Sequence, residues 1–375
     1  MMKSERTVDH LVIGGGPAGS MVAMRLAEAG REVLLLEKER TAHHKVCGEF
    51  LSREAVGYLS QCGVALPNLA AAVIDTVRLS AGGRVVEAAL PFPARSLSRR
   101  VLDAAMLSRA EEKGCEVQRG SHVETLELDG DMWHVKIRNG QTLSARTVFL
   151  ANGKHDLHGW NRVSRVQSDL VGFKLYWKLD RARTEALRGL MELFLFHGGY
   201  GGLSLVEEDA ANLCLVVKRS QLRREGDWAQ LLAMILDENR HIRQYLQTAT
   251  ALWEKPLAIS PIPYGYLAGR PCGLWCVGDQ AAVIPSFTGD GMSIALHSAA
   301  LAAEMRLAGN SVDEYNLKLE SQLRRGMSLA TLLSRAMVTG LGRNLASFGL
   351  LLYPNAMRWI ATTTRIPDRA LVKGG

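Results

Sequence analysis

The chain has 375 residues, 47% of them hydrophobic and 22% charged, too rich in core-forming material for a disordered chain and too long for a disulfide-stapled mini-protein. At about 100–200 residues per domain it predicts two closely joined domains. The formal charge of +7 is carried by the C-terminal stretch 321–375, where Arg324, Arg325, Arg335, Arg343, Arg358, Arg365, Arg369 and Lys373 face the single acid Asp368. A basic helical tail on a neutral body predicts either contact with an anionic membrane surface or acidic carrier protein, or a solvated helix face. No aromatic-basic interleaving accompanies it, so nucleic acid is not expected. Six scattered cysteines (Cys47, Cys62, Cys115, Cys214, Cys272, Cys276) show no zinc spacing beyond the weak CxxxC of Cys272 and Cys276. No metal and a reduced, cytoplasmic setting follow as expectations. The polar start MMKSERTVDH does not read as a secretory signal. The stretch LASFGLLLYPNAMRWIA is broken by Pro354, Asn355 and Arg358, short of the roughly 20 apolar residues of a membrane span.

In chain order, residues 9–40 read as strand, glycine turn, helix and strand, with Gly30 as the helix stop. Short β-rich runs follow at about 73–95. RRVLDAAMLSRAEEKG reads as an amphipathic helix, and HVETLELDG, MWHVKIRNG and RTVFLANG as strands. From about 165 to 220 the runs VGFKLYWKL, MELFLF, GGLSLVE and NLCLVV predict an antiparallel sheet. A helix near 227–248 precedes a buried strand in GLWCVGD and a long helix in GDGMSIALHSAALAAEMRLAG. The result is an α/β chain with a discontinuous Rossmann-like domain (1–75, 96–164, 266–320), an interwoven middle β-sheet domain (76–95, 165–265) and a C-terminal helical segment (321–375).

Gly14, Gly16 and Gly19 form a GxGxxG between strand and helix, with Pro17 and Ala18 inside the turn. The first glycine allows the tight turn, the second a close approach of pyrophosphate, and the third close helix–strand packing. The helix N-terminus offers free amides and partial positive charge. Glu37 closes the second strand 18 residues after Gly19, near the spacing of an acid that grips ribose hydroxyls, with Lys38 beside it.

With these motifs the chain resembles the flavoprotein superfamily of the p-hydroxybenzoate hydroxylases and geranylgeranyl reductases. GLWCVGDQAAVIPSFTGDGMSIALHSA is similar to that family's second FAD signature. The resemblance implies that Asp279 holds the ribityl chain and that Pro285, Gly289 and Gly291 lie beside the isoalloxazine. The helix start at Gly291 and Met292 would face the pyrimidine edge, where negative charge develops on reduction. Arg99, Leu102 and Asp103 resemble the family's RxxLD, whose Arg approaches FAD; Arg100 is the alternative if the register slips by one. HHKVCGEFLS resembles the K-x-C-G-G-x-L-S stretch of geranylgeranyl reductases at Lys45, Cys47, Gly48, Leu51 and Ser52, with Glu49 in place of the second glycine. There the cysteine lies near the flavin and affects catalysis, which makes Cys47 the catalytic candidate, its thiol open to a lowered pKa from Lys45, His43 and His44. The alternative is a small residue packed on FAD. The histidine pair admits covalent flavin attachment or, more commonly, a solvated or phosphate-facing loop.

The chain also departs from the families it resembles. Asn152 and Lys154 stand where hydroxylases carry an acidic turn, with His155 beside them; GGYGGL occupies the region of the reductases' YxWxFP strand, and the halogenases' WxWxIP is not found. Tyr176, Trp177, Phe196 and Tyr200 are the candidate substrate-pocket lining, although aromatics in β-runs are usually core. The resemblance implies FAD, with NAD(P)H as transient reductant. The expected activity is that of a monooxygenase on a hydrophobic or aromatic small molecule. The alternative is a reductase of carbon–carbon double bonds in a lipid, isoprenoid or polyketide, its substrate lipid- or carrier-linked, at the inner face of the membrane.

Overall fold

The computed structural model describes residues 6–81, 83–162, 167–269, 273–339 and 355–373. Cys272, Arg343 and residues 345–354 of the apolar C-terminal stretch lie outside them.

The strand Arg6–Ile13 is the hub of the first sheet. It pairs in parallel with Val33–Glu37 on one side and Thr142–Leu150 on the other. Glu116–Arg119 extends one edge and Trp275–Cys276 adds to Thr142–Leu150, both in parallel, while Val123–Asp129 and Met132–Ile137 complete an antiparallel meander. Strands buried on both faces need helices on both sides. The helix Pro17–Glu28, opened by a proline at its first position, supplies Met21, Val22 and Leu26 to that packing, and the alanine-rich helix Gly291–Leu307 crosses beside it.

The second sheet has nine strands. It is mixed, which corrects the antiparallel expectation: Ala72–Ala81 runs parallel to Gly189–Phe196. The physical reason is chain path. After the hairpin Ala72–Ala81 and Arg84–Ser96, the chain leaves for the first sheet and returns only at Leu170–Lys178, and such long connections permit parallel pairing. Along Leu170–Lys178 the pleat sorts side chains by parity. Phe173, Leu175 and Trp177 pack under the helices Trp228–Glu238 and Arg240–Leu246, while Gly172, Lys174 and Tyr176 face the first domain.

The C-terminal segment packs back on the first domain. The helix Val312–Met337 is opened by a capping box between Ser311 and Glu314. Beyond Asn355–Thr363, Arg365 pairs with Asp290 at 2.7 Å and Val372 donates its N–H to Tyr58. Among the described residues no helix is long and apolar enough to cross a membrane, and no group of side chains is arranged to hold a metal ion.

Candidate functional site

A cleft of about 630 Å³ runs between the two sheets, from the glycine turn to the middle strands. The turn itself is built on close approach. Gly14 sits at φ +107°, where a Cβ would stand 2.5 Å from the Ala151 carbonyl oxygen, and a Cβ on Gly19 would overlap the Gly14 carbonyl oxygen at 1.8 Å. A Cβ on Gly16 would meet the charged ends of Arg99, at 3.4 Å, and Lys45, at 3.9 Å. The turn is therefore open where phosphate approaches and closed where helix meets strand. Gly14, Gly16, Pro17, Ala18, Glu37, Lys38, Lys45 and Cys47 all border the cleft, while Gly19 packs behind the turn.

Glu37 is buried at the end of its strand, accepting from the Gly15 N–H at 2.7 Å and the Glu39 N–H at 2.9 Å. The strand end thus orients an acid beside the turn. Ser98 caps the helix Arg99–Glu112 by accepting from the Val101 N–H, and that helix turns Arg99 inward and leaves Arg100 exposed. Asp103 receives both Arg99, at 2.7 and 2.9 Å, and Lys45, at 2.8 Å. Burial works to raise the Asp103 pKa, but the two cations prevail and hold it below its ordinary value. With one carboxylate shared by two cations, the cluster keeps net positive charge at the phosphate side of the cleft.

Farther along the cleft, Asp279 lies next to Lys154, 3.6 Å away, and Arg162 donates to the Asp279 carbonyl at 2.8 Å. Gln280 donates to the carbonyls of Gly153 and His155, fastening this turn to the strand end that departs from the hydroxylase pattern. Gly289 has φ +73°, and a Cβ there would meet the Phe50 ring at 2.6 Å. Gly291 and Met292 open their helix toward the cleft; Pro285 lies just behind its wall, whose nearest residues are Ile284 and Ser286. Cradle, buried acid, cationic cluster and helix N-termini together match the chemistry of a dinucleotide with a pyrophosphate and a polar ring edge.

Residues 7–156 match the FAD binding domain family. The chain therefore carries an FAD-binding domain and is similar over most of its length to flavoproteins of the geranylgeranyl reductase kind. It is 27% identical over 351 residues to a menaquinone reductase of Mycolicibacterium smegmatis, covering 86% of this chain and 82% of that one. To a digeranylgeranylglycerophospholipid reductase of Methanopyrus kandleri it is 26% identical, over 82% of this chain and 78% of the other. In fold it matches a myxobacterial chondrochloren halogenase with a TM-score of 0.76 at 21% identity, over 97% of this chain and 95% of that one. The flavoprotein is thus an FAD-dependent oxidoreductase.

The aromatic pocket candidates need correction. Trp177 and Phe196 belong to the cluster beneath the helices, on the far face of the middle sheet. Their strand parity points them away from the cleft. Tyr200 is buried against Phe287, edge to face at 5.9 Å, and does not border the cleft. Tyr176 faces the right way but does not border the cleft; its hydroxyl donates to Glu49, which does.

The wall is formed by His44 and Glu49, which the sequence marked only within HHKVCGEFLS, and by Cys214, Val216, Ile259, Ile262 and Tyr264, to which sequence reasoning gave no role in the pocket. Tyr264 donates to Ser286 at 2.8 Å. Cys214 faces the cleft with its pKa pushed up to about 12 by burial, which keeps it a neutral thiol. His44 sits against Tyr176 and Trp253, at 5.1 and 4.9 Å, and burial with nearby Lys174 and Arg100 lowers its pKa to about 4. Cys47 borders the cleft half-buried, its sulfur accepting from the Glu49 N–H at 3.3 Å. Lys45, expected to act on that thiol, spends its ammonium on Asp103. The signal that could have found part of this wall was period 2: Cys214 and Val216 share a parity opposite to Leu213, Leu215 and Val217, which pack under the helices.

Proposed function

We propose that this flavoprotein reduces a carbon–carbon double bond of an isoprenoid or other lipid-linked substrate, the second of the two activities the sequence suggests. The observation that carries the reading is the continuity of the apolar wall. Val216, Ile262, Tyr264 and Val283 border the cleft and belong at the same time to one apolar cluster with Leu79, Leu195 and Val338. Such a strip suits a long hydrocarbon better than a compact polar aromatic. The relatives named reductases, similar over most of the chain, favour the same direction.

Bound FAD supplies hydride transfer at its reduced ring. The chain's residues bind and orient: Gly14, Gly16 and Arg99 toward the pyrophosphate, Glu37 toward ribose, Asp279 toward the ribityl chain, and Gly289, Gly291 and Met292 toward the ring, with Pro285 shaping the turn behind them. Neutral His44 and the thiol Cys47 stand on the wall where a substrate proton is held or delivered. NAD(P)H is the transient reductant in this reading, since the chain's single glycine fingerprint goes to FAD. The test is anaerobic turnover with a polyprenyl quinone or geranylgeranyl lipid. Saturated product without oxygen supports a reductase; turnover and oxygenated product only in air identify the monooxygenase.

A lipid substrate gives the C-terminal helices a purpose. Leu332 and Trp359 are 67% and 56% exposed, on helices that also carry Arg325, Arg335 and Arg358. Exposed apolar side chains beside arginines suit peripheral contact with an anionic, inner-face membrane surface from the cytoplasm. Flotation with anionic but not neutral vesicles, weakened by salt, is the expected result.

A further inference from the structure

Glu49 holds a backbone conformation that its side chain makes costly. Its φ is +60°, in the left-handed region where glycine is the usual occupant, and glycine is what the resembled reductase stretch has there. The side chain is wholly buried, as is that of Lys174 opposite. The carboxylate accepts from the Lys174 ammonium, from the Tyr176 hydroxyl at 2.5 Å, and from the Arg99 N–H at 2.7 Å. Its carbonyl accepts from the Leu97 N–H and the Ser96 hydroxyl, both at 3.2 Å. Lys174 also lies 4.5 Å from the centre of the Tyr176 ring.

Three parts of the site meet at this one residue. Arg99 opens the helix whose side chain faces the glycine turn. Lys174 and Tyr176 belong to the middle sheet. The Glu49 N–H donates to the Cys47 sulfur, and Asn212 on the middle sheet donates to the Cys47 carbonyl at 3.2 Å. A left-handed residue carrying a buried charge persists only where its surroundings over-determine it, and such positions cluster at ligand clamps. A surface turn would need no such network.

We propose that Glu49 is a positioning residue: its carboxylate, held by Lys174, Tyr176 and the Arg99 N–H, clamps the 43–49 loop between the two domains and thereby sets Cys47 and His44 against the flavin ring. The glycine of the resembled pattern grants the turn without the clamp. In this chain the clamp replaces loop freedom with a fixed wall. The proposal rests on FAD occupying the cleft and not on the reaction catalysed.

The experiment uses FAD-loaded protein and two readouts that need no substrate: the visible circular dichroism of the bound flavin, and the rate of Cys47 alkylation followed by mass spectrometry. Glu49→Gly keeps the turn and removes the clamp; Glu49→Gln keeps hydrogen bonding and removes the charge. The expected result is an altered flavin dichroism and Cys47 alkylation faster by about tenfold in Glu49→Gly, with partial restoration in Glu49→Gln. Tyr176→Phe, which deletes one hydroxyl, guards against loss of folding in the first variant and is expected to accelerate alkylation by a smaller factor. Wild-type dichroism and alkylation in FAD-loaded Glu49→Gly would overturn the proposal, and so would unchanged alkylation in Tyr176→Phe.

Discussion

The two banks of the cleft are made of different material. The nucleotide bank is mostly backbone: glycines that let carbonyls and phosphate approach, helix N-termini, and one buried acid at a strand end. The middle-sheet bank is made of side chains, an apolar strip interrupted by the buried Glu49–Lys174 pair and backed by aromatics. Backbone recognition suits a cofactor shared by a whole superfamily, because peptide groups are the same in every sequence. A side-chain wall can be rewritten residue by residue, so substrate choice resides there.

Breaking the nucleotide bank gives the largest effect. Gly19→Val places carbon where the Gly14 carbonyl oxygen stands, and the purified variant is expected to carry no FAD by its visible absorbance. Wild-type flavin content would remove the backbone account of this bank.

The middle-sheet bank should respond differently to single and paired changes. Lys174→Met leaves the Glu49 carboxylate buried without its cation and is expected to cost about 3–5 kcal/mol in denaturant unfolding, whereas Glu49→Leu with Lys174→Met recovers most of it. Equal losses in both would show that packing, not charge, holds the wall. At the junction with the C-terminal segment, Arg365 serves Asp290 at 2.7 Å and Glu54 at 3.4 Å, all three buried. Arg365→Ala should cost about 3 kcal/mol by the same reasoning. The loss should shrink in acid: burial raises the Asp290 pKa despite Arg365, so that carboxyl takes up a proton readily once its partner is gone.

A smaller effect sharpens the comparison at Glu37. Glu37→Gln removes charge from two accepted backbone hydrogen bonds and should weaken FAD binding about tenfold by titration, leaving the middle-sheet readouts unchanged.

The smallest concerns pH. His44 has a folded pKa of about 4 against about 6.5 unfolded, so the unfolded chain binds more protons between those values. Its contribution is present above pH 6.5 and is lost as pH falls toward 4. His10, His155 and His297 are also lowered by burial. The melting temperature is therefore expected to drop from pH 7 to 5, and less steeply in His44→Phe. A parallel drop in both proteins would remove His44 from the account.

How much of this was legible follows the same division. The glycine turn, Glu37, Arg99 and the turn around Asp279 were readable because local spacing encodes backbone geometry over a few residues. The wall was not, because it depends on which strand face meets which domain. Tyr176 and Trp177 are neighbours in sequence and lie on opposite sides of a sheet. Glu49 was visible only as a departure from a glycine pattern; its partner Lys174 is 125 residues away, a pairing that topology creates and periodicity cannot. The mixed sheet was hidden for the same reason, since its parallel pair forms only after the chain has crossed the first domain.

The central claim is that the apolar wall serves double-bond reduction. Its most direct test is to reduce the bound flavin without oxygen and mix the enzyme by stopped flow with a menaquinone or a geranylgeranyl lipid. The account predicts rapid return of the oxidised flavin spectrum together with a product heavier by two hydrogens on a side-chain double bond. A reduced spectrum that persists with every such lipid, and returns only with oxygen and an oxygenated product, would contradict it.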